Sequence, residues 1–312
     1  MSTFRGTGDP STYVISITPF AKDSSFDEKG IRHHLQRLRA AGIGVYVGGG
    51  GSGEGFAMST DEHKRLLDIA VDELKGAVPV RAMGTEPRTA SQMVEYVGVA
   101  KSAGVDAAQI YSLDQGHGHQ PAKDEIRTYF TDILDAVDIP SVISTHQSVG
   151  YLIPIELLDE LVERYPHVVG INCSTGDMRY LIELIDTVGD RVEIHVGGPF
   201  QALSALSLGA TGFLSSEGNL APKLCVSVID SFKKGDMAVA FDSYARVAKL
   251  SSALYGRGGI RATKAVLTEL GLAGGFPRRP QLEVQANVVG ELMELVRALD
   301  LATIEGWPAK DT

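Results

Sequence analysis

Cysteine is nearly absent: the 312 residues hold only Cys173 and Cys225, placed in different expected elements. Two thiols cannot build a disulfide framework, and their scarcity points to a reducing cytoplasm. No uninterrupted apolar run approaches the roughly 18 residues of a membrane span. The stretch Met1–Tyr13 has neither the basic nor the apolar segment of a secretory signal. Basic runs are missing as well. With a formal net charge of −10, the molecule repels phosphate backbones and anionic lipid, so neither nucleic acid nor a membrane is an expected partner. No glycine-rich dinucleotide fingerprint follows the first expected strand, which disfavours an open doubly wound sheet.

What is present is an ordinary globular balance, 44% hydrophobic and 22% charged, over a length that suits one α/β barrel with an appendage. Short apolar runs fall at Tyr13–Ile17, Gly44–Val47, Val78–Ala82, Ala107–Tyr111, Ser141–Ser144, Val168–Asn172, Val192–Val196 and Gly212–Leu214. They mostly lack period-two alternation, as strands covered on both faces do. Between them lie helical patterns such as Leu66, Leu67, Ala70, Val71 and Leu74, opened by a Ser59–Glu62 capping box. Gly42, Gly104, Pro140, Pro166 and Gly209 punctuate the returns from helix to strand. Eight such units predict a closed (β/α)8 TIM barrel over residues 1–232. Strand patterns then stop, and helices over 236–255, 259–271 and 285–301 form a C-terminal helical extension, residues 233–312.

In these barrels the chemistry sits at the carboxyl ends of the strands. The second strand runs into Gly48-Gly49-Gly50-Gly51-Ser52-Gly53-Glu54-Gly55, a loop able to turn backbone amides toward an anion. Other polar strand ends are His117 and His119 after strand four, His146 after strand five, Asn172 and Ser174 at strand six, and Ser215, Ser216 and Glu217 at strand eight. His195 lies within strand seven. Histidine titrates near neutrality, so His146 is a candidate general acid or base. His117 and His119 with His146 and a carboxylate would make a metal set, and Gly197-Gly198 could help the glycine loop bind an anion without turnover. Neither a metal nor a cofactor is expected.

Several motifs resemble the N-acetylneuraminate lyase / dihydrodipicolinate synthase family of class I aldolases. Ile17-Thr18-Pro19-Phe20 is similar to its first-strand TPF, and Gly50-Gly51-Ser52-Gly53-Glu54 to its GTTGE, which holds the carboxylate of a 2-oxo acid. Val168-Val169-Gly170-Ile171-Asn172 with Gly176-Asp177 is similar to its sixth strand. Gly209 to Ser215 with Asn219 and Pro222 is similar to its eighth. The departures matter as much. Asn172 stands where the family keeps its Schiff-base lysine, and a carboxamide has no nucleophilic amine. Ser144 stands in place of the catalytic tyrosine, two residues before His146.

The resemblance therefore implies a lyase, cleaving an aldol or dehydrating, on a small oxo or hydroxy carboxylic acid without a Schiff base. His146, Asn172 and Ser144 are the candidate catalytic residues. Gly51, Ser52, Gly53, Tyr111, Ser174, Ser215 and Ser216 are the candidate substrate ligands. A homotetramer is implied by the family alone. The alternative is a non-catalytic paralogue that binds a small carboxylate or phosphate.

Overall fold

The computed structural model describes residues 8–307; the polar stretch read from Met1 and the last residues of the expected extension begin or end outside them. Eight parallel strands close on one another in sequence order, β8 pairing back to β1. They are β1 (Ser11–Ile15), β2 (Gly44–Val47), β3 (Val80–Ala82), β4 (Ala107–Ile110), β5 (Ser141–His146), β6 (Val168–Ser174), β7 (Glu193–Gly197) and β8 (Gly212–Ser215). The intervening helices are α1 (Glu28–Ala41), α2 (Thr60–Leu74), α3 (Ala90–Ala103), α4 (Lys123–Leu134), α5 (Ile155–Arg164), α6 (Met178–Val188), α7 (Ala202–Leu208) and α8 (Pro222–Lys234). Four more follow: α9 (Met237–Gly256), α10 (Ile260–Glu269), α11 (Ala286–Ala298) and α12 (Leu301–Glu305). The expected barrel and its helical extension are both present. Among the described residues no helix is long and apolar enough to cross a membrane.

Local chemistry explains the element ends. Ser59 caps α2 and Glu62 closes the reciprocal bond, which satisfies amides that the first turn leaves open. Gly42 and Gly104 end α1 and α3 at φ of 74° and 83°, a region that favours glycine. Leu66, Leu67, Ala70 and Leu74 turn inward to meet the strands. β5 and β6 run two residues beyond their expected ends, because His146 and Ser174 continue the ladder that Ser144 and Asn172 begin. Their carboxyl ends are polar, and polarity alone does not stop a strand whose neighbour still offers hydrogen bonds.

The barrel floor is polar. Arg81 of β3 pairs with Glu193 of β7 at 2.8 Å and stacks 4.4 Å from the Tyr13 ring centroid. His195 shares a 2.8 Å hydrogen bond with Ser11 and meets Tyr13 edge-on. This settles the direction of His195: it points into the barrel, near-fully buried, and burial with the Arg81 charge pushes its imidazole down to about 3.

Candidate active site

The glycine-rich loop after β2 is compact. A Cβ at Gly55 would fall 2.3 Å from the Gly48 carbonyl oxygen, and one at Gly53 would fall 2.8 Å from Gly49 N and O. Only glycine lets this backbone fold onto itself. The amides of Gly50, Glu54 and Gly55 are consumed by Gly84 O, Gly51 O and Gly49 O. Those of Gly51, Ser52 and Gly53 are not used by the loop's own backbone bonds, and Gly51 and Ser52 line the cleft beside it.

Three of the motifs read from sequence interlock around this loop. Thr18 Oγ1 donates to Gly53 O at 2.8 Å. Asn219 accepts from Ile17 N at 2.9 Å and donates to Ile15 O at 2.8 Å. Glu54, at φ 54°, sends its buried carboxylate to the Lys264 ammonium of α10 and accepts from Arg278 N at 2.8 Å. Lys264 also donates to Thr18 O and Phe276 O, at 2.8 and 3.0 Å. Burial lowers its affinity for the proton, and Glu54 opposes that. Glu54 is a clamp between the loop and the C-terminal helices, and Lys264 is committed to it.

Ser52 and Ser216 share a 2.8 Å hydrogen bond across the mouth, and Ser216 reaches Tyr255 of α9 at 3.3 Å. Around this bridge runs a bent cleft. One arm, about 340 Å³, is lined by Gly51, Ser52, Ser216, Glu217, Thr263 and Gln281, among others. The other, about 290 Å³, passes over the ends of β6 to β8 and is lined by Ser174, Gly197, Gly198, Ser215, Ser216 and Tyr255, among others. Among the described residues no lysine or arginine lines either arm. Ser215 turns its hydroxyl to Glu217 at 3.0 Å.

His146 pairs in register with Ser174, so it stands beside the second arm. Its Nδ1 bonds Ser148 Oγ. Its Nε2 lies 3.4 Å from Glu86 Oε1 without an aligned hydrogen bond. Burial holds the imidazole below its ordinary value, while the charges of Glu86 and Asp114 pull the other way. The Tyr111 ring meets His146 edge-on at 6.2 Å, and burial raises its phenol well above the usual range, so Tyr111 offers a hydrogen rather than a phenolate.

Asn172 lies deeper, in register with Ser144 and His195. Its Nδ2 donates to Gln109 Oε1 at 2.6 Å and to Tyr46 Oη at 3.2 Å. Both amide hydrogens are spent, and Oδ1 is buried without a partner, so what the residue still offers is an acceptor. His117 and His119 are exposed on the loop after β4, and no group of three metal-ligating side chains forms among the described residues.

Sequence reading missed Glu86, Gln109, Tyr46, Tyr255 and Gln281. Glu86 sits four residues past β3, where strand-end loops deserve a search. Gln109 is a lone polar residue inside an apolar strand, and Tyr46 has the inward parity of the second. Tyr255 and Gln281 arrive from the tail and carry no local signal.

The comparisons with known proteins agree with the geometry. The profile described as "Dihydrodipicolinate synthetase family" matches residues 11–299. The 4-hydroxy-tetrahydrodipicolinate synthase of Methanopyrus kandleri is 30% identical, over 91% of this chain and 94% of its own. That of Hyphomonas neptunium is 32% identical, over 85% and 89%. Among solved structures, dihydrodipicolinate synthase from Aquifex aeolicus superposes with a TM-score of 0.85 at 23% identity, over 94% of this chain and 98% of its own. At that identity the likeness concerns the fold. Profile and relatives span the barrel and most of the helical tail together, and on that ground the chain belongs to the dihydrodipicolinate synthetase family.

Proposed function

We propose that the protein is a lyase of this family that acts on a small oxo or hydroxy carboxylic acid by acid–base chemistry, without a Schiff base. The observation that carries the reading is His146: a buried imidazole, kept neutral by its surroundings, with Glu86 3.4 Å away and the Ser174 side of the cleft beside it. A neutral imidazole can take a proton from carbon or from a hydroxyl, and a carboxylate at 3.4 Å stabilises the imidazolium that results. Proton abstraction, dehydration and retro-aldol cleavage all begin with such a transfer.

The substrate carboxylate is placed at Gly51, Ser52 and Gly53, against the unused amides and the Ser52 hydroxyl. Charge developing on the reacting oxygen needs donors aimed at it; Tyr111, Ser144, Ser174 and Ser216 are the candidates. Asn172 accepts, through Oδ1, a hydrogen bond from a substrate hydroxyl. Asn172 in β6 and the absence, among the described residues, of lysine from the lining of either arm support a reaction with no iminium. Phe200, Met237 and Phe241 are large apolar side chains left exposed, which supports a homo-oligomer, a tetramer by family resemblance; the two free cysteines support a reducing compartment such as the cytoplasm.

The test is incubation with small 2-oxo acids in deuterated water, following exchange at the carbon next to the carbonyl. Exchange should occur in the wild type and fall about 10²–10⁴-fold in His146→Ala. Pyruvate with borohydride should leave the intact mass unchanged. A stoichiometric lysine adduct would overturn the mechanism, and binding without exchange would favour a paralogue that only holds its ligand.

A further inference from the structure

Among the described residues no charge answers the carboxyl group of Glu217. It opens the short turn Glu217–Asn219 after β8, and its side chain is wholly buried. Oε2 accepts from Ser215 Oγ at 3.0 Å. That Oγ in turn accepts from Gly218 N at 2.8 Å, so the single Ser215 proton goes to Oε2. Oε1 is buried and has no aligned hydrogen bond; the Ser251 hydroxyl acts on the carboxyl group but is itself without an aligned partner. The residue lines the arm of the cleft that Gly51, Ser52 and Ser216 also line.

A lone carboxylate in such a place is costly, because burial strips its hydration and nothing returns the loss. The titratable groups that sense Glu217 are Cys225 on α8 and Tyr255 on α9. Burial raises both above their ordinary values, so both are neutral hydrogen carriers rather than counter-charges. Burial likewise raises Glu217, while the hydroxyls of Ser251 and Ser215 oppose it. With Oε2 already accepting, the proton of the neutral acid belongs on Oε1, the atom left bare. A buried donor without an acceptor is as unsatisfied as the reverse, and the missing acceptor is an anion or carbonyl oxygen in the cleft.

We propose that Glu217 is a neutral hydrogen-bond donor to the substrate carboxylate, completing an anion cradle that contains no cation. The inference rests on the carboxylate placement at Gly51–Gly53 given above. Affinity for a carboxylate then falls as pH rises, since ionised Glu217 would set two anions in one cleft. Glutamine at 217 supplies an N–H donor that does not titrate.

The experiment is calorimetric titration of wild type, Glu217→Gln and Glu217→Ala with pyruvate, glyoxylate and lactate across neutral to alkaline pH. Wild-type binding should weaken toward high pH, and Glu217→Gln should bind within about threefold of wild type at neutrality with a flat profile. Glu217→Ala should bind about 10–100-fold more weakly, the loss of a hydrogen bond to a charged group. Infrared difference spectra of wild type minus Glu217→Gln supply a readout free of ligand: the carbonyl stretch of an un-ionised carboxylic acid should be present at neutral pH. Unchanged binding in Glu217→Ala, or absence of that band, overturns this proposal and leaves the cradle standing. Failure of the wild type to bind any of the three overturns both.

Discussion

Two glutamates are equally buried at the mouth of this barrel and could hardly be treated more differently. Glu54 meets the Lys264 ammonium with one oxygen and the Arg278 amide with the other. Glu217 meets only neutral serine hydroxyls, with one aligned hydrogen bond, from Ser215, and none at its second oxygen. Burial is common to both, so burial is not the mark of function. Completeness of partners separates a clamp, which holds the loop, from a group that waits for a ligand.

The most damaging way to break this contrast is to turn Glu54 into a second Glu217. Lys264→Met should destabilise the protein by about 3–5 kcal/mol, because it leaves a buried carboxylate unpaired. Adding Glu54→Gln should return a large share, since then neither charge is left. Urea midpoints of the single and double variants decide it; equal midpoints would show that the pair contributes nothing to the clamp.

Acid offers a milder test with a third kind of buried group, histidines held neutral. Burial brings His34, on α1 with its Nε2 2.9 Å from Asn219 Oδ1, and His195 down to about 3, against about 6.5 when unfolded. Between those values the unfolded chain binds more protons, so stability is complete above pH 6.5 and is lost as pH falls toward 3. The two together remove about 4 kcal/mol at most between pH 6.5 and 5. Denaturation at several pH values should show the slope, and His195→Gln should reduce it; a flat profile would mean that both buried histidines take up protons freely.

The smallest change sharpens the comparison from the other side. Ser215→Ala strips Glu217 of its one aligned donor and Gly218 N of its acceptor, a loss of about 1–3 kcal/mol. It should also weaken the un-ionised acid band or shift it, because both carboxyl oxygens then look for partners. An unmoved spectrum would place Ser215 outside the device.

The barrel was legible because each of its strands is covered on both faces and so reads as a short apolar run, with glycine or proline at the returns. The boundaries that moved did so for reasons outside the run itself. β1 starts at Ser11 because Gly212 of β8 offers it a partner, and Ile17 leaves the ladder for Asn219. The glycine loop and the serines of the mouth were legible too, since they follow strand ends in order. Glu86 and Gln281 were not, because the first stands in a loop with no motif and the second is brought by the helical tail. The proposed role of Asn172 was half legible. The family resemblance puts a carboxamide where an amine is expected, while only the neighbours Gln109 and Tyr46 leave its oxygen, and not its nitrogen, without a partner.

The Glu54 clamp also sets a timetable. Its two partners lie at positions 264 and 278, whereas the loop they secure ends at 55. As the chain leaves the ribosome, all eight strands can be in place while that loop still lacks its fastening. The mouth is finished only by the last quarter of the polypeptide, and a chain released early would carry a closed barrel with an unfinished entrance.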